Sequence, residues 1–205
     1  MLNEVQAHPA TVSVDVEMDS GYGSMDEMII DAHKHGCDAL VNCTGLGSNT
    51  ICNDSRLLGG RGIVLHYERK HRATTTEDEN IYDAAILTEE GNWGSYEDPA
   101  YLIPRGDTFV VGGAYHENNV ENKLSHDERK RLMDNATLLG IDTSVERPIN
   151  EWVGFRPVRP TLRMEIDDKL SSQSKLRVVH CYGHGGSGWT TYVGCAKEVA
   201  GLLSS

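Results

Sequence analysis

Three arginines crowd one short stretch of an otherwise acidic chain: Arg156, Arg159 and Arg163 in FRPVRPTLR. A guanidinium fork matches a carboxylate in bidentate geometry. Pro157 and Pro160 stiffen the backbone around Arg159 and limit the entropy lost when its side chain engages a ligand. Arg159 is therefore the candidate anion clamp of the three, and Arg163 is expected to face solvent and to tolerate lysine. The competing role is neutralisation of the chain's own surplus carboxylates. The nearby Trp152 and Phe155 weigh toward binding.

A second candidate is the glycine loop. Gly183, Gly185 and Gly188 satisfy GxGxxG, directly after a strand-like run and before a helix-like one. Glycines let backbone N–H groups approach an anion, and a helix N-terminus adds positive partial charge. A complete dinucleotide fingerprint needs another strand and an acidic residue about 20 positions later. Here a single helical pattern runs from the loop to Ser205, so the loop reads either as the last βα unit of such a fold or as a tight strand–helix turn. Tyr96 and Tyr101 flank EDPA. A phenol beside an anion site supplies a second hydrogen bond, although by pattern alone both tyrosines read as half-buried sheet residues.

No metal site is legible. His33 and His35 are two apart on a predicted helix and point to different faces. His180 and His184 bracket the glycine loop without partners at ligand spacing, with His184 the nearer to any ligand. The five cysteines, at 37, 43, 52, 181 and 195, form no CxxC pair, which suits reduced thiols, with Cys43 and Cys181 placed in the core at strand ends. There is no nucleophile elbow, no P-loop lysine and no acid/base dyad.

The elements that must position these groups follow from periodicity. Residues 11–17 alternate as a strand. Ser24 with Glu27, and Ser125 with Glu128, are capping-box pairs that start helices, and Gly36 and Gly140 end them. Residues 39–43 form a short apolar strand. Residues 61–69, 84–88, 101–104 and 108–113 read as strands with no helices between them, hence an antiparallel sheet. Residues 151–165, with two prolines, read as an extended or turning segment. Residues 175–182 are a strand, and 190–203 carry a helical stripe through Tyr192, Val193, Ala196, Val199, Ala200 and Leu203. The fold class expected is α/β interrupted by an inserted antiparallel sheet.

Composition narrows the function. Nineteen basic against 31 acidic side chains give a net charge of −12, which disfavours nucleic acid and anionic membrane as partners. No apolar run approaches the ~18 residues of a membrane span, and the first residues lack a secretory-signal pattern.

Several stretches together resemble the D-amino-acid oxidase family, which includes D-aspartate oxidases. They are VNCTG (41–45) with LLGGRG (57–62), PAYLIPRGDTFVVGG (99–113), GFRPVRPTLRME (154–165), and HCYGHGGSGWT (180–190) with GCAKEVAGL (194–202). The resemblance implies the C-terminal part of a two-domain FAD-linked fold. Residues 1–60 would be part of the FAD-binding α/β domain, 61–165 the substrate-binding sheet, and 166–205 the closing strand, glycine loop and helix. The family's opening βαβ unit, which holds the FAD diphosphate, has no counterpart in these motifs.

The resemblance further implies oxidative deamination of a D-amino acid by hydride transfer to FAD, with O2 as second substrate and 2-oxo acid, ammonia and hydrogen peroxide as products. Catalysis would be driven by the flavin, without a protein acid or base. Arg159 would clamp the substrate carboxylate, Tyr101 would hydrogen-bond it, Tyr96 is the candidate for the family's substrate-side lid tyrosine, and the Gly186 carbonyl would accept from the amine. Gly185, Gly186, Ser187, Gly188, Trp189 and Thr190 would line the flavin, with Val41 and the Arg61–Gly62 turn touching FAD from adjacent strands. A peroxisomal or cytoplasmic setting follows, with a homodimer as the assembly it admits. The alternatives are a non-catalytic remnant or fragment that binds a small carboxylate or a partner chain but not FAD alone, and a split enzyme completed by a second polypeptide.

Overall fold

A computed structural model of the chain describes residues 21–69, 84–88, 99–117 and 119–205. Tyr96 and the strand expected at 11–17 lie outside the described residues. The elements are α1 (Met25–Lys34), β1 (Ala39–Asn42), a 3-10 turn (Gly45–Gly47), α2 (Ser48–Ile51), β2 (Leu58–Glu68), β3 (Ile86–Leu87), β4 (Tyr101–Arg105), β5 (Thr108–Glu117), α3 (His126–Leu138), β6 (Asn150–Ile166), α4 (Asp168–Ser174), β7 (Arg177–His184) and α5 (Gly188–Ser204).

The strands form one mixed sheet in the order β1-β7-β6-β2-β5-β4-β3. β1 and β7 pair in parallel; the other ladders are antiparallel. The α/β part and the antiparallel part are thus joined through hydrogen-bonded strands. β6 makes the join. It pairs with β2 from Asn150 to Val158, then with β7 from Val158 to Ile166.

The segment 151–165 is therefore a strand in its entirety, where the prolines pointed to an extended or turning piece. A proline cannot donate to a ladder. Pro160 falls inside the register shift between Val158 and Arg163, where β6 leaves the ladder with β7, so its missing N–H breaks no pairing there.

Both predicted helix starts are present. Ser125 and Glu128 form a full capping box at α3. At α1, Ser24 accepts from the Glu27 amide, while the Glu27 carboxylate takes the Gly23 amide one residue earlier. Gly36 and Gly140 adopt φ of +68° and +90° beyond the helix ends, a region that favours glycine.

The sheet has two different faces. One carries Ile63, Leu65 and Tyr67 of β2, Phe109 and Val111 of β5 and Leu102 of β4, packed under Leu132 and Ala136 of α3. Tyr67 stacks on Phe109 with ring centroids 5.2 Å apart. Each fully buried large apolar side chain contributes about 1.5–3 kcal/mol. A second core joins Met25, Met28 and Ala32 of α1 to Leu176 and Val178. The opposite face of β2, β4, β5 and β6 is open, and the candidate site lies there. The stripe of α5 packs less than its pattern implies: Tyr192, Val193 and Leu203 are exposed, and Cys195 is the buried residue of that helix.

Candidate functional site

Strand alternation sends Gly62, Val64 and His66 of β2 away from the α3-covered core. With Tyr101, Arg105, Val110, Trp152, Gly154 and Arg156 they line a cavity of about 400 Å³. Its floor is shaped by missing side chains. A Cβ at Gly62 would collide with the Arg156 guanidinium, one at Gly112 with the Tyr101 phenol, and one at Gly154 with the Trp152 indole. The three glycines let the three large side chains lie flat on the sheet. Gly112 pairs with Val64, two residues along β2 from Gly62, so the phenol of Tyr101 and the guanidinium of Arg156 reach over adjoining ground.

Arg156 is the arginine of the FRPVRPTLR stretch left for a ligand. Among the described residues it has no hydrogen-bond or ion-pair partner. The predicted clamp, Arg159, is spent elsewhere. Its Nε donates to Asp54 Oδ2 at 3.0 Å, both side chains being about 95% buried, and an Nη donates to the Thr161 carbonyl. Arg163 is likewise committed, donating to Glu165 Oε1 at 2.7 Å and Tyr182 Oη at 2.9 Å, so it does not stand free in solvent. Tyr182 in turn donates to Asp54 at 2.9 Å. Burial alone would raise the Asp54 carboxyl, but hydrogen bonds from Tyr182, the Arg56 amide and Arg159 outweigh it and hold the group below the usual range. This charged network fastens β6, β7 and the loop after α2.

The glycine turn meets the cavity from the side. Gly183 has φ +92° and presses against Arg159, where a Cβ would lie 2.8 Å from the arginine Cβ. Gly185 has φ +58° and donates its amide to the Pro157 carbonyl at 2.8 Å. A Cβ on Gly186 would sit 3.5 Å from Arg156 Cδ, so the Gly186 backbone flanks the stem of Arg156 and not that of Arg159. The structure thus separates two roles that sequence spacing had merged in Arg159. Strand alternation held the signal: Arg156 is two residues from Gly154 and shares its cavity-facing side, whereas Arg159 is an odd number of residues away.

The other candidates fall as follows. Ser187 caps α5 without a side-chain hydrogen bond, which leaves the first amides of that helix available. Gly188, Trp189 and Thr190 form the first turn, Trp189 being 79% exposed and in edge contact with Tyr192. Val41 lies mid-strand, paired with Val179. Arg61 and Gly62 are part of β2, where a turn was expected. The Arg61 side chain is fully buried on the far face, where it donates to Glu128 at 2.5 Å and to the Glu121 and Lys123 carbonyls. Only its backbone is left for a cofactor. Burial would raise the Glu128 carboxyl, yet Arg61 and the Ser125 amide and hydroxyl bring it down to about 2.

His180 is held between Asn42 and Asp167 in the interior, and burial lowers its pKa, which keeps the ring neutral. Cys181 is buried, but Cys43 is exposed, contrary to its expected core position. His66 and the exposed Arg105 line the far end of the cavity, where sequence reading had placed no further cation.

A sheet face with a guanidinium that has no partner among the described residues, a phenol and a glycine-rich strand–helix turn stands in a mixed α/β fold. The family model described as FAD dependent oxidoreductase matches residues 4–202, and the chain belongs to that family. It is 32% identical to a D-amino acid oxidase of Dugesia ryukyuensis over 175 residues, 83% of this chain and 46% of that protein. It is 30% identical to D-aspartate oxidase 1 of Caenorhabditis elegans over 180 residues, 84% of this chain and 47% of the relative. The chain spans about half the length of these relatives.

Among solved structures, a glycine oxidase from Geobacillus kaustophilus aligns with a TM-score of 0.62 at 13% identity, covering 82% of this chain and 42% of that one. An L-proline dehydrogenase from P. horikoshii aligns at 0.61 and 14%, covering 80% and 42%. These likenesses establish the fold. The family is one of oxidoreductase enzymes that depend on FAD. The described residues fit one side of such a group: the Gly185–Gly186 turn offers backbone without side chains, and the uncapped start of α5 offers amides and positive partial charge to an electron-rich ring.

Proposed function

We propose that this chain carries the substrate-seating half of a D-amino-acid oxidase, whose reaction turns a D-amino acid, O2 and water into a 2-oxo acid, ammonia and hydrogen peroxide, the imino acid formed first being hydrolysed by that water. The observation that carries the reading is Arg156, a guanidinium without a partner among the described residues, in a cavity it shares with Tyr101. Arg156 grips the substrate carboxylate with its fork and Tyr101 donates the second bond. The Gly186 carbonyl, beside the Arg156 stem, accepts from the amine. Three fixed points orient the Cα–H bond, and orientation is the main contribution the protein makes. Bound FAD supplies the hydride acceptor and its reoxidation by O2. Gly185, Gly186 and the first turn of α5 from Ser187 to Thr190 hold its ring, with Val41 and the Gly62 backbone on the strand side. Release of peroxide suits a peroxisomal setting, the compartment implied by the resemblance.

The test is to add FAD to the purified chain and measure flavin spectral change and peroxide release with D-alanine and D-aspartate. Peroxide that disappears in Arg156→Ala supports the proposal; full activity in that variant overturns it. A second reading, a carboxylate-binding fragment that does not hold FAD alone, is favoured by the match covering about half of each relative. It expects calorimetric binding of a D-amino acid without any flavin change. Absence of both signals removes both readings.

A further inference from the structure

Three potential soft-metal ligands converge away from the carboxylate cavity, where β7 ends. Cys181 Sγ lies 3.8 Å from His184 Nε2. Cys195 Sγ, from α5, lies 3.4 Å from the same nitrogen. The three donor atoms are all within 4.8 Å of one another. A fourth thiol adjoins them. Asn42 pairs with His180 across the β1–β7 ladder, so the next residue, Cys43, follows beside Cys181, just outside the trio of mutually close donors.

Residues 181 and 184 of a regular strand would point to opposite faces. Gly183, at φ +92°, breaks the alternation and brings His184 to the side of Cys181. Cys181 and Cys195 are buried while Cys43 is exposed, so the cluster has a closed base and one open side.

We propose that Cys43, Cys181, His184 and Cys195 form a Cys3His site for zinc or a similarly thiophilic divalent cation. Tetrahedral zinc with sulfur and imidazole ligands sets its donors about 3.5–3.8 Å apart. Both separations, 3.8 and 3.4 Å, are sulfur-to-nitrogen distances, and they lie within about 0.3 Å of the roughly 3.5 Å that tetrahedral zinc sets between those two donors. On binding, each thiol gives its proton to solvent and donates a sulfur lone pair, and neutral His184 donates that of Nε2. With all four ligands from the protein the site is structural, as closed zinc sites are. It ties the end of β1, the end of β7 and α5 together immediately before the Gly185–Gly186 turn.

The test uses the full chain, reduced and stripped by a chelator, titrated with cobalt(II). The expected result is thiolate-to-cobalt charge transfer with tetrahedral d–d bands, saturating at about one cobalt per chain and abolished by zinc. Cys195→Ser and Cys43→Ser weaken binding at least about tenfold, whereas Cys37→Ser, at an exposed thiol outside the cluster, does not. Cys43 is exposed, so its variant remains informative if a buried-cysteine variant fails to fold. Absence of the tetrahedral spectrum in the reduced chain overturns the proposal. So does equal loss in Cys37→Ser. A Cys181–Cys195 disulfide that persists under reductant and leaves no cobalt uptake assigns the pair a redox role instead and overturns it as well.

Discussion

The guanidinium of Arg156 lies over Gly62, on the adjacent strand, where no side chain fits beneath it. Gly62 lies outside the left-handed region of φ, so alanine is tolerated by the chain and resisted by the arginine. We expect Gly62→Ala to displace Arg156 and weaken binding of a D-amino acid about tenfold, roughly 1.4 kcal/mol, with little change in Tm. Calorimetry alongside thermal unfolding checks this; unchanged affinity removes Gly62 as a support of the clamp.

Arg156 and Arg159 should separate cleanly. Arg156→Ala loses about 2–5 kcal/mol of carboxylate binding and leaves stability nearly intact, because no partner among the described residues is orphaned. Arg159→Ala strands the buried Asp54 carboxylate and costs about 3–5 kcal/mol of stability. Denaturant unfolding and ligand titration on both variants read the difference. The reverse pattern would restore Arg159 as the clamp.

Tyr101→Phe removes a hydroxyl that has no hydrogen-bond partner among the described residues. The fold should be unaffected, and carboxylate affinity should fall by about 0.5–1.5 kcal/mol, several-fold in Kd. A drop in Tm with unchanged affinity would place Tyr101 among the structural residues.

Glu128 links stability to acid. Its carboxyl is held at about 2 against an ordinary 4.5, so its contribution is complete above pH 4.5 and is lost as pH falls toward 2. The contribution is about 3 kcal/mol. Glu128→Gln should flatten that limb of the stability profile while lowering the plateau, and an unchanged acid limb would show that Arg61 is paired differently in solution.

Much of the frame was written locally. Ser125 and Glu128 announce α3 because capping is a contact between neighbours in sequence, and β2, β4 and β5 announce themselves by alternation. What escaped was decided by distant partners. Pro157 and Pro160 left 151–165 open between extended and turning, because a proline's cost depends on which strand lies beside it, and β6 changes neighbours there. Arg159 looked freer than Arg156 because Asp54, 105 residues earlier, is invisible as a partner until the chain folds. The thiol cluster has the same origin: Cys43, Cys181 and Cys195 are brought together by a parallel ladder and a helix return, without any local spacing.

The switch of β6 from β2 to β7 has one more consequence. Arg156 stands on the part of β6 laddered to β2, and Gly186 follows a turn whose amide is pinned to Pro157 of the same strand. The spacing between the Arg156 stem and the Gly186 turn is therefore a main-chain dimension, set by two successive residues of one strand. If the cavity seats an amino acid as proposed, side chains around it can be exchanged to admit a different one while the spacing at its common head group stays as it is.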